Sequence, residues 1–155
     1  GFKNLKLPDF RFEYTATRPW TYTHPNFSYS HRDYNIGAFN GPSSISYRLE
    51  SFFIPHTKLI IKFAFENIQK GIGSGSNIND NYYDRDKMKD WKTNFLLDNH
   101  FITNHLELNI DYYFTNMIKL KSKLRAFSRE NSSEYIYIDD ESVDIEFIIG
   151  ADINW

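Results

Sequence analysis

Sixteen residues from Arg18 to Asp33, RPWTYTHPNFSYSHRD, bring together side chains whose types could do chemistry. His24 and His31 with Asp33 offer imidazole and carboxylate, donors that zinc and copper take. Their spacing fits no metal motif and the stretch has no obvious third ligand, so no metal and no other cofactor is expected. Aromatic rings pack on the apolar faces of pyranoses, while Arg and Asp hold hydroxyls and acidic groups. Trp20, Tyr22, His24, Tyr29, His31, Arg32 and Asp33 therefore form a candidate sugar-contact set. The same His and Tyr side chains equally suit a loop folded on its own hydrogen bonds, and the sequence leaves both readings open. A nucleic-acid platform does not fit, because the net charge is -2 and there is no global basic field.

Other candidates are weaker. With no cysteine, the chain has no disulfide framework, thiolate metal site or cysteine nucleophile. Glu50, Glu107 and Asp111 could be arranged as paired carboxylates, but carboxylates beside lysines are expected on structural grounds, so no enzyme is expected. Asp139, Asp140, Glu141 and Asp144 read as a solvated acidic loop rather than a calcium site. Gly37 and Gly41 read as backbone devices that permit positive φ, with Pro42 leading into the next element.

What must position these residues is β-structure. Apolar residues alternate at every second position in six segments, the mark of strands with one apolar face. They are Asp9–Thr17, Ser43–Ile54, Lys58–Gln69, Phe101–Phe114, Ile118–Ser128 and Val143–Trp155. Only Lys87–Leu97 is compatible with a short helix. Mean hydropathy is -0.58, and no apolar run nears the roughly 18 residues of a spanning helix. That test does not reach transmembrane barrels, whose strands alternate.

The connections run long, short, long, short, medium. Tight turns at Pro55–Thr57 and Thr115–Met117 fall at one end. Larger loops near residues 18–42, 70–98 and 129–142 fall at the other. Outer-membrane barrels have this asymmetry, with long loops outside and short turns in the periplasm. The C-terminal VDIEFIIGADINW resembles the signal read by the bacterial barrel-assembly machinery, in Phe147, Ile149, Gly150, Ile153 and the final Trp155. It departs at Ile148, where a polar residue is usual.

The polar parity of the last strands is paired by sign. A three-residue loop at Thr115–Met117 sets Asp111 opposite Lys121, Asn109 opposite Lys123, and Glu107 opposite Arg125. Lys119 completes a ribbon of cations, flanked beyond by Asp144, Glu146 and Asp152. In a barrel these charges line the lumen. The fold expected is all-β: an antiparallel transmembrane β-barrel of the bacterial outer membrane. Six strands are too few to close one, since the smallest have about eight. Residues 1–155 are therefore expected to be a single domain supplying about the last six strands, the others preceding Gly1.

The stretch EYTATRPWTYTH, followed by YSHRDYNIGAFNGPSS, resembles the capsule-assembly outer-membrane proteins of the Wzi type. The matching positions are Glu13, Tyr14, Thr15, Tyr22, His24, Tyr29, His31, Gly37, Gly41 and Pro42. Ala38 departs where a histidine is common, and Ser43 where an asparagine often follows Gly-Pro. The resemblance covers about Phe12–Ser44. It implies a large barrel that holds capsular or other surface polysaccharide on the cell, lectin-like and without catalysis. Its partners would be that polysaccharide, outer-membrane lipid, the assembly machinery and other outer-membrane proteins. The competing readings are a porin or transport barrel, and a soluble β-sandwich carbohydrate-binding module.

Overall fold

The computed structural model describes residues 7–23, 30–31, 34–35, 39–86, 94–96, 99–115, 117–131 and 142–153. Its strands are β1 (Asp9–Thr17), β2 (Ser30–His31), β3 (Tyr34–Asn35), β4 (Ser44–His56), β5 (Leu59–Gly71), β6 (His100–Tyr113), β7 (Ile118–Asn131) and β8 (Ser142–Ile153). Among the described residues there is no α-helix, only a 3₁₀ turn at Tyr82–Asp84. Six strands form one antiparallel meander in the order β1-β4-β5-β6-β7-β8, and β2 pairs with β3 separately. The sheet is open, with β1 and β8 at its edges. The six alternating segments are thus the six strands of the sheet. Trp155, Asp139–Glu141 and most of Lys87–Leu97 lie outside the described residues.

Most strand ends shift by one to three residues from the sequence expectation, and two of the shifts have a plain physical reason. The first reversal is made by Thr57–Lys58, not Pro55–Thr57, because His56 pairs with Leu59. The register shifts between Phe53 and His56, and Pro55 sits in that irregularity, where its missing N–H breaks no ladder bond. At the other end β7 continues past Ser128 to Asn131, because β6 continues beside it to Phe101. The Thr115–Met117 turn closes as expected. Phe114 N donates to Ile118 O at 3.0 Å, and Thr115 Oγ1 accepts from Ile118 N at 3.0 Å.

Directly opposed residues in a sheet share a face. The registers therefore build two faces of opposite character. One holds rows such as Phe12–Leu49–Phe65–Leu106–Ala126–Ile145 and Phe10–Ser51–Phe63–Leu108–Leu124–Phe147. The other holds Arg11–Glu50–Ala64–Glu107–Arg125–Glu146. No second layer covers the apolar face: Val143 is 72% exposed, Ile145 71% and Ile149 71%. Ile78, in the 72–86 loop, is the one buried hydrophobic residue among those described. A sheet normally buries its apolar face against another layer, and here nothing within the described chain does so.

Candidate functional site: the charged face and the long-loop end

The charged face is held by ion pairs that cross strands. Glu107 is the hub of β6 and β7. Its carboxylate lies 3.0 Å from Lys123 Nζ and 3.2 Å from Arg125 Nε, and Asn109 Nδ2 donates to it at 2.7 Å. Arg125 also reaches Glu146 of β8 at 3.2 Å. The expected opposition of Asp111 and Lys121 is present at Cα level, but their charges pair otherwise. Asp111 takes Lys119 at 2.7 Å, and Lys121 reaches across to Asp152. Lysine is long enough to reach diagonal neighbours roughly 7–8 Å away, so Cα opposition does not decide which charges meet. Asp144 shares this face, opposite Phe127. On the β1–β4–β5 side, Arg48 is 2.7 Å from Glu50 and 3.3 Å from Glu66.

The long-loop end carries the candidate sugar-contact stretch. Its first part folds on its own backbone. Thr21 Oγ1 donates to Arg18 O and Thr23 Oγ1 to Trp20 O, each at 2.7 Å. Trp20 and Tyr22 both hold positive φ, 64° and 76°. Trp20 N donates to Gly75 O at 2.8 Å, and its indole packs directly on Gly75. Gly75 is itself at φ 91°, and Asp80 Oδ2 accepts from its N–H at 2.6 Å. Arg18 stacks on Phe95 with its guanidinium carbon 4.7 Å from the ring centroid. Trp20 is therefore a pin between the 18–23 turn and the 72–86 loop. Of the remaining candidates, Tyr22 is half-buried and His31 is placed in β2 by its backbone. His24, Tyr29, Arg32 and Asp33 lie outside the described residues, as does Gly37.

Gly41 takes φ 71°, as its role at the turn into β4 requires, and Ser43 beside it takes φ 53°. Pro42, Ser43 and Ser44 are fully buried there. Lys70 ties this corner together. Its ammonium donates to Pro42 O and to Ser76 O, the latter at 2.7 Å. Burial lowers the Lys70 pKa to about 8, against a weaker opposing pull from Asp80.

Sequence reasoning passed over a second group at the same end. Phe101 carries Arg129 over its ring at 4.2 Å, and His105 meets Phe127 edge-on at 4.8 Å. All four stand at charged-face positions: Phe101 in the row of Lys70, Arg129 in the row of Ile68, and His105 and Phe127 in the row of Glu66. The available signal was parity: Phe101 and Phe127 occupy the alternation of Glu107 and Arg125, where an aromatic has no apolar face to join. Aromatic rings beside a guanidinium, an imidazole and carboxylates are the side chains that contact sugars. No family model matches the sequence, and no curated protein or solved structure matches it significantly.

Proposed function

We propose that the six-stranded sheet is part of an outer-membrane β-barrel, with its apolar face toward lipid and its charged face toward the lumen. The observation that carries this reading is the exposed apolar face of a sheet with no second layer, from Phe10 on β1 to Ile153 on β8. Open edges at β1 and β8 fit a barrel whose remaining strands lie outside this sheet, since about eight are needed for closure. Loops 18–23 and 72–86 then stand outside, and the Thr57–Lys58 and Thr115–Met117 turns face the periplasm. Phe147, Ile149 and Ile153, exposed on the apolar side of β8, are available to the assembly machinery.

At the mouth the barrel engages surface polysaccharide without catalysis. The sequence resemblance over Phe12–Ser44 supports this role, together with the Phe101–Arg129 and His105–Phe127 pairs beneath the loops. The test is fractionation of Gram-negative cells that produce the protein. Recovery in the outer membrane, with extraction only by detergent, is expected; recovery in aqueous buffer rejects the barrel. For the glycan role, Phe101→Ala with Arg129→Ala should lower retention of surface polysaccharide. Unchanged retention, with clear conductance in a planar bilayer, moves the reading to a porin.

A further inference from the structure

The charged face carries two hollows that run into one another. One, of about 470 Å³, opens toward the long loops over Thr15, Ser46 and Glu66, with Phe39 and Asn40 at its rim. The other, of about 460 Å³, lies toward the tight turns over Asp9, Phe52, Lys62 and Ala64. Arg11, Arg48 and Glu50 line both, so the two form one trough along β1, β4 and β5. It is hollow where the side chains are small. Ala64 lies between Glu50 and Glu107 in its row, and Ser46 lies between Thr15 and Ile68. From the level of Asp9 to that of Thr15 the trough is about 20 Å long, at a rise of about 3.3 Å per residue.

A phenylalanine stands at each end of the trough. Phe39 is 90% exposed, and Phe52, between Asp9 and Lys62 in its row, is 37% exposed. Both line the charged side of the sheet, where lipid covers neither. From this we infer that the trough binds a short run of uncharged sugar rings, with Phe39 and Phe52 as the platforms at its two ends. Aromatic rings offer the apolar faces of pyranoses a surface to pack on. The inference rests on the polysaccharide reading proposed above. It adds a place, along the wall of β1, β4 and β5 rather than at the Phe101 and Phe127 rings alone, and a charge class.

The charges along the trough decide that class. Its carboxylates (Asp9, Glu13, Glu50, Glu66 and Glu107) outnumber its cations (Arg11, Arg48 and Lys62), so an acidic sugar meets a wall of its own sign. The carboxylates do not form a cation site, because among the described residues no group of three is placed to hold a metal ion. Most are instead held by guanidinium groups. Arg11 lies 2.9 Å from Glu13, and Arg48 lies 3.3 Å from Glu66. Arg48 also donates twice to Oε1 of Glu50, at 2.9 and 2.7 Å. Oε2 of Glu50 is 3.7 Å from Arg11, too far for a hydrogen bond, and is open to a ligand. The result is a fixed wall of alternating donors and acceptors, which suits hydroxyl groups because each both donates and accepts. Ion pairs that hold these side chains before the ligand arrives also lower the ordering cost of binding.

The test is affinity electrophoresis of the full chain in detergent, through gels that carry dextran, mannan, galactan, polygalacturonate or alginate. Retardation by at least one of the three neutral glycans, and by neither acidic one, is expected. Phe39→Ala and Phe52→Ala should each weaken it about fivefold, the effect of a ring that covers roughly 40 Å² of apolar sugar surface. Ala64→Trp fills the trough without removing a contact and should abolish retardation, with circular dichroism confirming that the variant keeps its β-structure. Retardation by the acidic glycans alone overturns the neutral class. Neutral retardation that survives all three substitutions but is lost in Phe101→Ala with Arg129→Ala overturns the trough and leaves the polysaccharide reading standing. No retardation by any glycan sinks the polysaccharide reading and the trough with it.

Discussion

At the scale of single residues, the long-loop end of the sheet is fixed by backbone geometry rather than by exposed reactive groups. Gly75 is at φ 91°, and a β-carbon there would meet the Trp20 indole nitrogen at 2.6 Å. Gly75→Ala should therefore cost more than about 1 kcal/mol locally. The readout is faster amide exchange at Trp20, whose N–H is held by Gly75 O. Lys70 lies beyond the apolar band and has its pKa lowered by burial to about 8 from 10.5. The folded chain then binds that proton less tightly than the unfolded chain. Stability should rise as pH goes from about 8 to 10.5, and be lost as pH falls back through 8. Lys70→Met should flatten that slope in unfolding experiments across the window. Of the candidate sugar set, Trp20 could be named from its type, but its use as a pin depended on Gly75, 55 positions away in sequence, and no local pattern links them.

At the scale of elements, alternation and pairing decide most of the sheet. The oppositions Glu107–Arg125 and Asn109–Lys123 followed from one short turn, because a hairpin loop of known length fixes register. Which charges then met depended on twist and side-chain reach, so Asp111 took Lys119 and Lys121 took Asp152. These pairs are partly exposed, and each should contribute only about 0.2–1 kcal/mol. Glu107→Gln touches Lys123 and Arg125 together and should cost about 1 kcal/mol at low salt, read from the urea midpoint. Most of that difference should vanish near 1 M salt, where screening acts over about 3 Å. On the opposite face, Leu108→Lys should destabilise a membrane barrel by about 2–4 kcal/mol and Asn104→Lys by about 0–1 kcal/mol. Equal costs, measured by unfolding from vesicles, would place Asn104, which hydrogen-bonds to Asn67 and Ser128, at the same depth as Leu108.

At the scale of the whole molecule, the sheet has two faces and two open edges, and among the described residues it has no core of its own. Such a sheet needs an occupant for its apolar side and partners for its edges. In aqueous buffer the chain is expected to associate, and in detergent to hold its β-structure as a dispersed species. Circular dichroism with sedimentation in both media measures this. A dispersed, folded species in buffer alone would argue for a covered face and against lipid. Because every strand pairs with its neighbour in sequence within β4 to β8, the meander can form by local hairpins and leave closure to the edges.

The sequence alone determined the all-β class, the six strands, the register of β6 with β7, and the tight turns at one end. Each of these is set by period-two alternation or by the length of a short loop, which are local quantities. Only the tertiary structure decided the docking of Trp20 on Gly75, the burial of Lys70 and the aromatic pairs on the charged face. Those depend on which residues distant in sequence meet, and they meet only once every strand has its register.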